Sequence, residues 1–235
     1  MQQSKLADMG EMIGAIAHQW RQPLNVLALN IQMLEDMAEE GTLDVHTVEQ
    51  FVEKNMKTIQ FMSRTIDDFR NFYRSQNEKE RFNLKEAVEA TLNLQRAQLE
   101  ARNIEIETDL EDVWVEGWRN DLMQVILNLI SNARDAIEKR AAEEKDFQGK
   151  IRIICKREGN RAIIRIIDNG GGIPEEIRER IFEPYFTTKE VGKGTGLGLH
   201  MARRIVEEKM GGTIRIKNVE GGAMFEIVLE RADAG

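Results

Sequence analysis

The sequence predicts a protein in two parts. An N-terminal helical hairpin pairs with a second copy into a dimeric four-helix bundle, and an α/β sandwich follows. Three observations predict this. Apolar residues recur every three or four positions through the first third of the chain, the period of an amphipathic helix. A polar, charged stretch, Ser75–Arg81, then breaks the pattern. Beyond it, short alternating runs are interspersed with helical stripes, as in a layered α/β domain. The spacing places the boundary between residues 78 and 79, dividing the chain into residues 1–78 and 79–235.

The first stripe is Leu6, Met9, Ile13, Ile16, Trp20, Leu24, Leu27, Ile31 and Leu34, and it stops near Gly41-Thr42. The second is Val52, Met56, Ile59, Met62, Ile66, Phe69 and Tyr73. A short connector between two long helices makes an antiparallel hairpin. Such a hairpin covers only one side of stripes this wide, so a homodimer is expected. Asn83 is positioned to cap a helix through about Ala101. Ile104-Glu-Ile106-Glu and Val113-Trp-Val115 read as strands. Arg119–Glu144 reads as a long helix. Lys150–Arg157 and Arg161–Asp168 read as strands around the turn Glu158-Gly159-Asn160. A glycine-rich loop leads to a helix from about Gly196 to Met210. A hairpin, Thr213–Asn218 with Ala223–Glu230, turns at Glu220-Gly221-Gly222.

Composition narrows the function classes. A net charge of -8 argues against general nucleic-acid binding, which needs a basic face. The single cysteine, Cys155, has no partner for an internal disulfide and lies in an apolar run, as a buried structural thiol would. That suits a reducing cytoplasm. No apolar run approaches the ~20 residues of a membrane helix, and Met1–Lys5 lacks a signal-peptide core. The helical pattern is already running at Leu6. The chain is therefore expected to be cytoplasmic, and either a fragment of something longer or a short protein whose input arrives from another chain.

Chemistry concentrates in the second part. Asp168-Asn-Gly-Gly-Gly-Ile-Pro174 ends a strand. Glycines let backbone approach a ligand, and a carboxylate there can accept a hydrogen bond from an exocyclic amine such as that of adenine. The same segment alone could be a structural turn. Gly192-Lys-Gly194-Thr-Gly196-Leu-Gly198-Leu opens a helix, where bare backbone amides suit an anion. Lys193 adds a mobile charge. The pattern is neither a Walker A loop nor a Rossmann fingerprint. Asn128 and Asn132 stand one helical turn apart among apolar residues. An amide oxygen can ligate Mg²⁺, and buried amides without partners would be costly.

Together these segments resemble the GHKL-type ATP-binding fold shared by histidine kinases, type II topoisomerases, Hsp90 chaperones and MutL repair proteins. Asn128–Ala133 resembles the N box, and Asp168–Gly172 the first glycine box. Ile181-Phe-Glu-Pro-Tyr-Phe-Thr-Thr-Lys189 resembles the F box, and Gly192–Leu199 the second glycine box. The resemblance implies that ATP and Mg²⁺ are the cofactors. It implies that Asn132 ligates the metal, Asp168 binds the adenine amino group, and Gly170 and Gly172 shape its pocket. It further implies a mobile lid from about Glu183 to Gly196. The nucleotide set is completed by Asn128, Asp135, Lys189, Lys193, Gly194, Thr195, Gly196, Leu197 and Gly198. Many histidine kinases carry a basic residue where this chain has Asp135, so Arg134, Arg140, Lys189 and Lys193 are the candidate phosphate-contacting cations. ATP-hydrolysing members carry a glutamate where this chain has Asn128. An amide takes no proton, which favours phosphoryl transfer over an ATP-hydrolysing clamp. The intact boxes weigh against a degenerate interaction module.

His18 lies in Ile16-Ala-His18-Gln-Trp-Arg-Gln-Pro23-Leu24. An imidazole nitrogen is a competent nucleophile near neutral pH. The segment resembles the H box of histidine kinases, with Pro-Leu five residues after the histidine. The resemblance implies that His18 is the phosphoacceptor and that a response-regulator receiver domain takes its phosphate. It implies that residues 1–78 are the dimerisation and histidine-phosphotransfer domain, and residues 79–235 the ATP-binding catalytic domain. Gln22, one turn on, matches a position that often holds a water for dephosphorylating the partner. Most members carry Glu or Asp where this chain has Gln19. Gln19→Glu is expected to raise the autophosphorylation rate about a hundredfold, the lower end of what a positioned general base contributes. Initial rates of labelled-phosphate incorporation at several pH values check this, and unchanged rates at every pH would sink it.

Overall fold

The computed structural model describes residues 2–73, 79–189 and 196–232, apart from the side chains of residues 2–19, Gln22, Phe61 and 64–73. Contacts group the described residues into two units, which divide at Tyr73, with Thr187–Lys189 in the first.

The first unit is built on α1 (Gln2–Glu39) and α2 (Val45–Tyr73). Gly41, with φ +69°, ends α1 in the left-handed conformation that glycine adopts without strain. Asp44 caps α2 by accepting the Thr47 N–H at 2.7 Å. That bond holds the Asp44 carboxyl below its ordinary range. The predicted single stripe resolves into two. Pro23, Leu27, Asn30, Leu34 and Met37 form a shielded seam on α1, with Thr47, Phe51, Asn55, Thr58 and Met62 shielded on α2. Asn30, 6% exposed, donates Nδ2 to Asn55 Oδ1 at 2.7 Å across the hairpin. Leu24, Leu29, Ile31 and Met33 on α1, and Val48, Val52, Met56 and Ile59 on α2, remain exposed. A stripe spaced for burial and left bare is unusual for an isolated helix pair.

Pro23 lies inside α1. It has no N–H, so the carbonyl four residues earlier loses its helical donor. That carbonyl belongs to Gln19, next to His18.

The second unit contains β1 (Glu80–Asn83), α3 (Leu84–Glu100), β2 (Glu105–Leu110), β3 (Trp114–Gly117), α4 (Arg119–Glu143), β4 (Lys150–Glu158), β5 (Arg161–Asp168), α5 (Gly198–Arg204), β6 (Thr213–Val219) and β7 (Gly222–Glu230). Five strands form one sheet in the order β2-β4-β5-β7-β6, with β2 parallel to β4 and the other pairs antiparallel. Alternate residues are buried, as a strand with one core face requires. Ile153, Ile166 and Phe225 align in one row, and Cys155, Ile164, Ile227 and Ile214 in the next. Against this face lie Leu122, Val125, Ile126, Leu129 and Ile130 of α4 and Leu84, Val88 and Leu92 of α3. Cys155 is buried, and burial pushes its thiol up to about 12, leaving it protonated and inert.

Two elements differ from expectation. β1 occupies the end of the stretch read as a polar boundary. It pairs antiparallel with β3 in a separate two-stranded sheet, and its four residues are too few to show a period. The last helix starts at Gly198 rather than Gly196 and passes at Ile205 into a π-turn through Lys209.

Asn83 joins β1 to α3. Its Oδ1 accepts the Lys85 N–H at 2.9 Å, and its Nδ2 donates to Asp112 Oδ1 at 3.0 Å. Asn83→Ala removes the cap and this bond together, and is expected to cost about 1–2 kcal/mol of stability. Urea unfolding checks this, with a fall in midpoint and no change in slope.

Candidate active site

β5 carries Asp168 in on its core face. The side chain is 6% exposed. Its Oδ1 accepts the Gly170 N–H at 2.8 Å and lies 3.4 Å from the Ala223 N–H donor. Burial pushes the Asp168 carboxyl up, and the two backbone donors partly offset that. A shielded carboxylate at a strand end, facing glycine backbone, is suited to reading one polar group on a flat ligand.

The glycines around it are required by close approach. A Cβ on Gly170 would lie 2.6 Å from Ala136 Cβ of α4. Gly172 has φ +80°, and a Cβ there would meet Asn218 Oδ1 at 3.1 Å. Gly196 has φ +65°, and the Tyr185 backbone occupies the space its Cβ would need. Its carbonyl accepts the Tyr185 N–H at 2.9 Å. This explains why the helix begins two residues later than its sequence pattern predicts. Leu197 caps α5 and is 2% exposed, so it supports the core.

On α4, Asn128 Nδ2 donates to the Gly198 carbonyl at 3.3 Å, and its Oδ1 accepts from Gln124 at 3.4 Å. The amide thus braces α4 against the start of α5. Asn132 lies one turn on and is half-buried. Asp135 Oδ1 accepts from Arg134 at 2.7 Å. Arg134 also donates to Ser131 Oγ and Gln98 Oε1, so its charge is paired within α4 and with α3. Arg140 donates Nη1 to the carbonyls of Asn169 and Gly221, each at 2.9 Å. Of the candidate cations, Lys189 lies in the coil after Phe186, its N–H donating to Thr187 Oγ1 at 3.1 Å. Lys193, Gly194 and Thr195 lie outside the described residues, as do the side chains of His18, Gln19 and Gln22. The backbone of these last three belongs to α1, just ahead of Pro23.

Four residues take roles that the motifs do not assign, Arg140 among them, which the sequence offered only as a phosphate-contacting cation. His200 Nδ1 lies 3.0 Å from the Phe182 carbonyl and must donate to it. Arg203 stacks over the Phe182 ring at 5.0 Å. Asn218 and Arg140 hold the glycine loop. No local pattern marks these roles, because the backbone partners of His200, Asn218 and Arg140 lie 18 to 81 positions away.

Two family models match in sequence order. Residues 8–78 match the His Kinase A (phospho-acceptor) domain, and residues 117–233 match the histidine kinase-, DNA gyrase B-, and HSP90-like ATPase. The catalytic domain of histidine kinase ThkA is 36% identical, with a TM-score of 0.57, over 66% of this chain and 96% of that one. The chain belongs to the histidine kinases. It is 34% identical to the two-component sensor PprA of Pseudomonas aeruginosa, over 98% of this chain but 25% of that sensor. It thus spans about a quarter of that relative's length. Histidine kinase ThkA in complex with response regulator protein TrrA superposes with a TM-score of 0.71 and 26% identity, over 98% of this chain and 64% of that one. The kinase family accounts for both halves, a helical phosphoacceptor region and an α/β ATP-binding domain. No described helix is long and apolar enough to cross a membrane.

A carboxyl whose folded pKa is raised loses stability as pH rises through that pKa. Asp168→Asn keeps the acceptor for Gly170 and removes the charge. The nucleotide-free variant is therefore expected to melt at or above the wild-type temperature at pH 7. The difference should close as pH falls below the ordinary carboxylate range. ATP affinity should drop about tenfold or more, the loss of one charge-assisted hydrogen bond. A variant less stable at pH 7 and equally affine for ATP would contradict both statements.

Proposed function

We propose that this chain is the core of a two-component sensor histidine kinase that phosphorylates its own His18 and passes the phosphate to an aspartate of a response-regulator receiver domain. One observation carries the reading. The phosphoacceptor domain match and the ATPase domain match occur side by side in one chain. In this reading residues 1–78 are the dimerisation and phosphotransfer domain, and residues 79–235 the catalytic domain.

An imidazole nitrogen of His18 attacks the γ-phosphorus of ATP. The N–P bond forms, the bond from the γ-phosphorus to the β,γ-bridging oxygen breaks, ADP leaves, and the ring releases its proton. The receiver carboxylate then attacks the same phosphorus and frees the imidazole. Gln19 is an amide and takes no proton. The Gln19 carbonyl, deprived of its helical donor by Pro23, is the nearest backbone acceptor in sequence. Gln22, one turn along, would position a water for dephosphorylating the receiver.

Asp168 would accept the adenine amino group, beside Gly170 and Gly172. Asn132, with Asn128 one turn behind it, would face the phosphates, as would Gly194, Thr195, Gly196, Leu197 and Gly198. Lys189 and Lys193, on the segment that the resemblance makes the lid, would supply the cations, since the position that is often basic is here the anionic Asp135. Mg²⁺ fits the donor set. Asn132 offers a hard amide oxygen, and no cluster of three or more His, Cys, Asp or Glu able to hold a metal occurs among the described residues. A cation held by one amide and by the phosphates of its nucleotide suits magnesium, which keeps several waters. It would neutralise phosphate charge.

The exposed stripe Val48, Val52, Met56 and Ile59, together with Leu24 and Ile31, supports homodimerisation through the hairpin. The upstream input would come from a sensor domain or sensor protein, and the site of action would be the cytoplasm.

Incubation with γ-labelled ATP and Mg²⁺ tests the reading. The expected result is an acid-labile, alkali-stable label on the protein that is absent from His18→Ala and moves to a receiver domain. Free phosphate with no labelled protein would instead mark an ATP-hydrolysing clamp.

A further inference from the structure

The two donors to Asp168 stand on two different segments. Gly170 belongs to the loop after β5, and Ala223 lies near the start of β7. The direction in which the carboxylate points therefore depends on how these segments are held together. The structure shows a dedicated clamp. Asn218, at the end of β6, accepts the Ile173 N–H on Oδ1 at 2.9 Å and donates Nδ2 to the Ile173 carbonyl at 2.8 Å. The side chain acts as a short piece of strand, satisfying both backbone groups of one residue. The Gly171 N–H donates to the Gly221 carbonyl at 3.0 Å. Arg140 reaches from α4 and donates to both the Asn169 and the Gly221 carbonyls. Its other nitrogens pair with Glu144, and its guanidinium stacks over Phe147 at 4.6 Å, which fixes the fork in place. Gly172 must be glycine partly because the Asn218 amide packs where its Cβ would be. Gly222 must be glycine because a Cβ there would collide with the Asp168 carbonyl. Neither Asn218 nor Arg140 lies in a nucleotide-binding motif, yet together they make four bonds to backbone on or beside the loop.

We infer that Asn218 and Arg140 are positioning residues that aim Asp168 and thereby set the selectivity of the site for adenine over other purines. The inference rests on the assignment of this pocket to ATP. A merely structural role would weaken all nucleotides alike. An aiming role weakens the ligand that uses the Asp168 contact and spares the one that does not. Inosine triphosphate is the discriminating probe, because it carries an oxygen where adenine carries the amino group.

The experiment uses the whole chain with Mg²⁺. Affinities for ATP and for inosine triphosphate are measured by calorimetry, and hydrogen exchange is followed in the peptide covering residues 169–173. In the wild type ATP is expected to bind more tightly, by about tenfold or more, the worth of one hydrogen bond to a charged group. In Asn218→Ala and Arg140→Lys that ratio should fall toward one, mainly through loss of ATP affinity. Exchange at Gly171 and Ile173 should quicken while β4 and β5 stay protected. A variant with fast exchange but an unchanged ratio would overturn the aiming role. Unchanged exchange would overturn the clamp itself. A wild type that binds neither nucleotide would overturn the ATP assignment, and the exchange result would still decide the clamp.

Discussion

Asp168 is a carboxylate kept out of water at the end of a central strand, and much of the second unit is arranged around that constraint. Burying a charge without partners is expensive, and the raised pKa of Asp168 records part of that cost. The fold offsets it with backbone donors from Gly170 and Ala223. Backbone donors serve only if the backbone comes close, so Gly170 must clear Ala136 and Gly222 must clear the Asp168 carbonyl. The loop that results has few contacts of its own. It borrows rigidity from Asn218, Arg140 and the β6–β7 turn. One buried charge thus accounts for the glycines, the turn and the long-range arginine.

The first unit answers a different constraint. Two long helices with apolar residues on more than one face cannot bury all of them against each other. The shielded seam takes Leu27, Leu34, Met37, Phe51 and Met62, with one polar pair, Asn30–Asn55, at its centre. A buried amide pair is satisfied in one register only, so it fixes how α1 sits along α2. A seam of leucines alone would tolerate slippage. Register matters here because Pro23 and His18 lie on the same helix, about two and about three turns before Asn30, and any slip would move them relative to α2.

What the sequence made legible follows the range of each interaction. The long helices, the strands β4, β5 and β7, and the Asn83 cap are local patterns of period 3.6, period 2 or a single capping residue. All lie close to their predicted places. The four boxes were legible for the same reason, since the need for glycine at 170, 172 and 196 is written at those positions. β1 was not legible, because four residues next to a charged stretch carry no period and are held by Trp114–Gly117 across the chain. The roles of Asn218 and His200 were not legible either, and Arg140, offered by the sequence as a phosphate cation, donates instead to the Asn169 and Gly221 carbonyls. Their partners are carbonyls and amides, which every residue possesses, so nothing in the one-dimensional pattern distinguishes them from ordinary surface residues. The single hydrophobic stripe assigned to each helix of the hairpin was half of the answer. Spacing identifies a face but does not say which of two neighbouring faces a partner covers.

The chemistry of α4 turns on which groups can move a proton and which can hold a charge. Asn128 is an amide where hydrolytic relatives carry a carboxylate, and its two polar ends are occupied by Gly198 and Gln124. It can neither deprotonate a water nor swing freely to orient one. Arg134 and Asp135 cancel each other on the next turn, 2.7 Å apart. On this turn of α4 the Arg134–Asp135 pair leaves no net charge. A helix so composed does not stabilise phosphate by itself. In the proposed reaction that stabilisation would come from the glycine backbone at 196–198 and from a metal or lysines of the lid. The Tyr185–Gly196 and His200–Phe182 bonds tie the start of α5 to the segment Ile181–Tyr185. In the proposed reaction α4 supplies geometry and the glycine backbone supplies the donors, and with Asn128 an amide the helix offers no base for hydrolysing ATP.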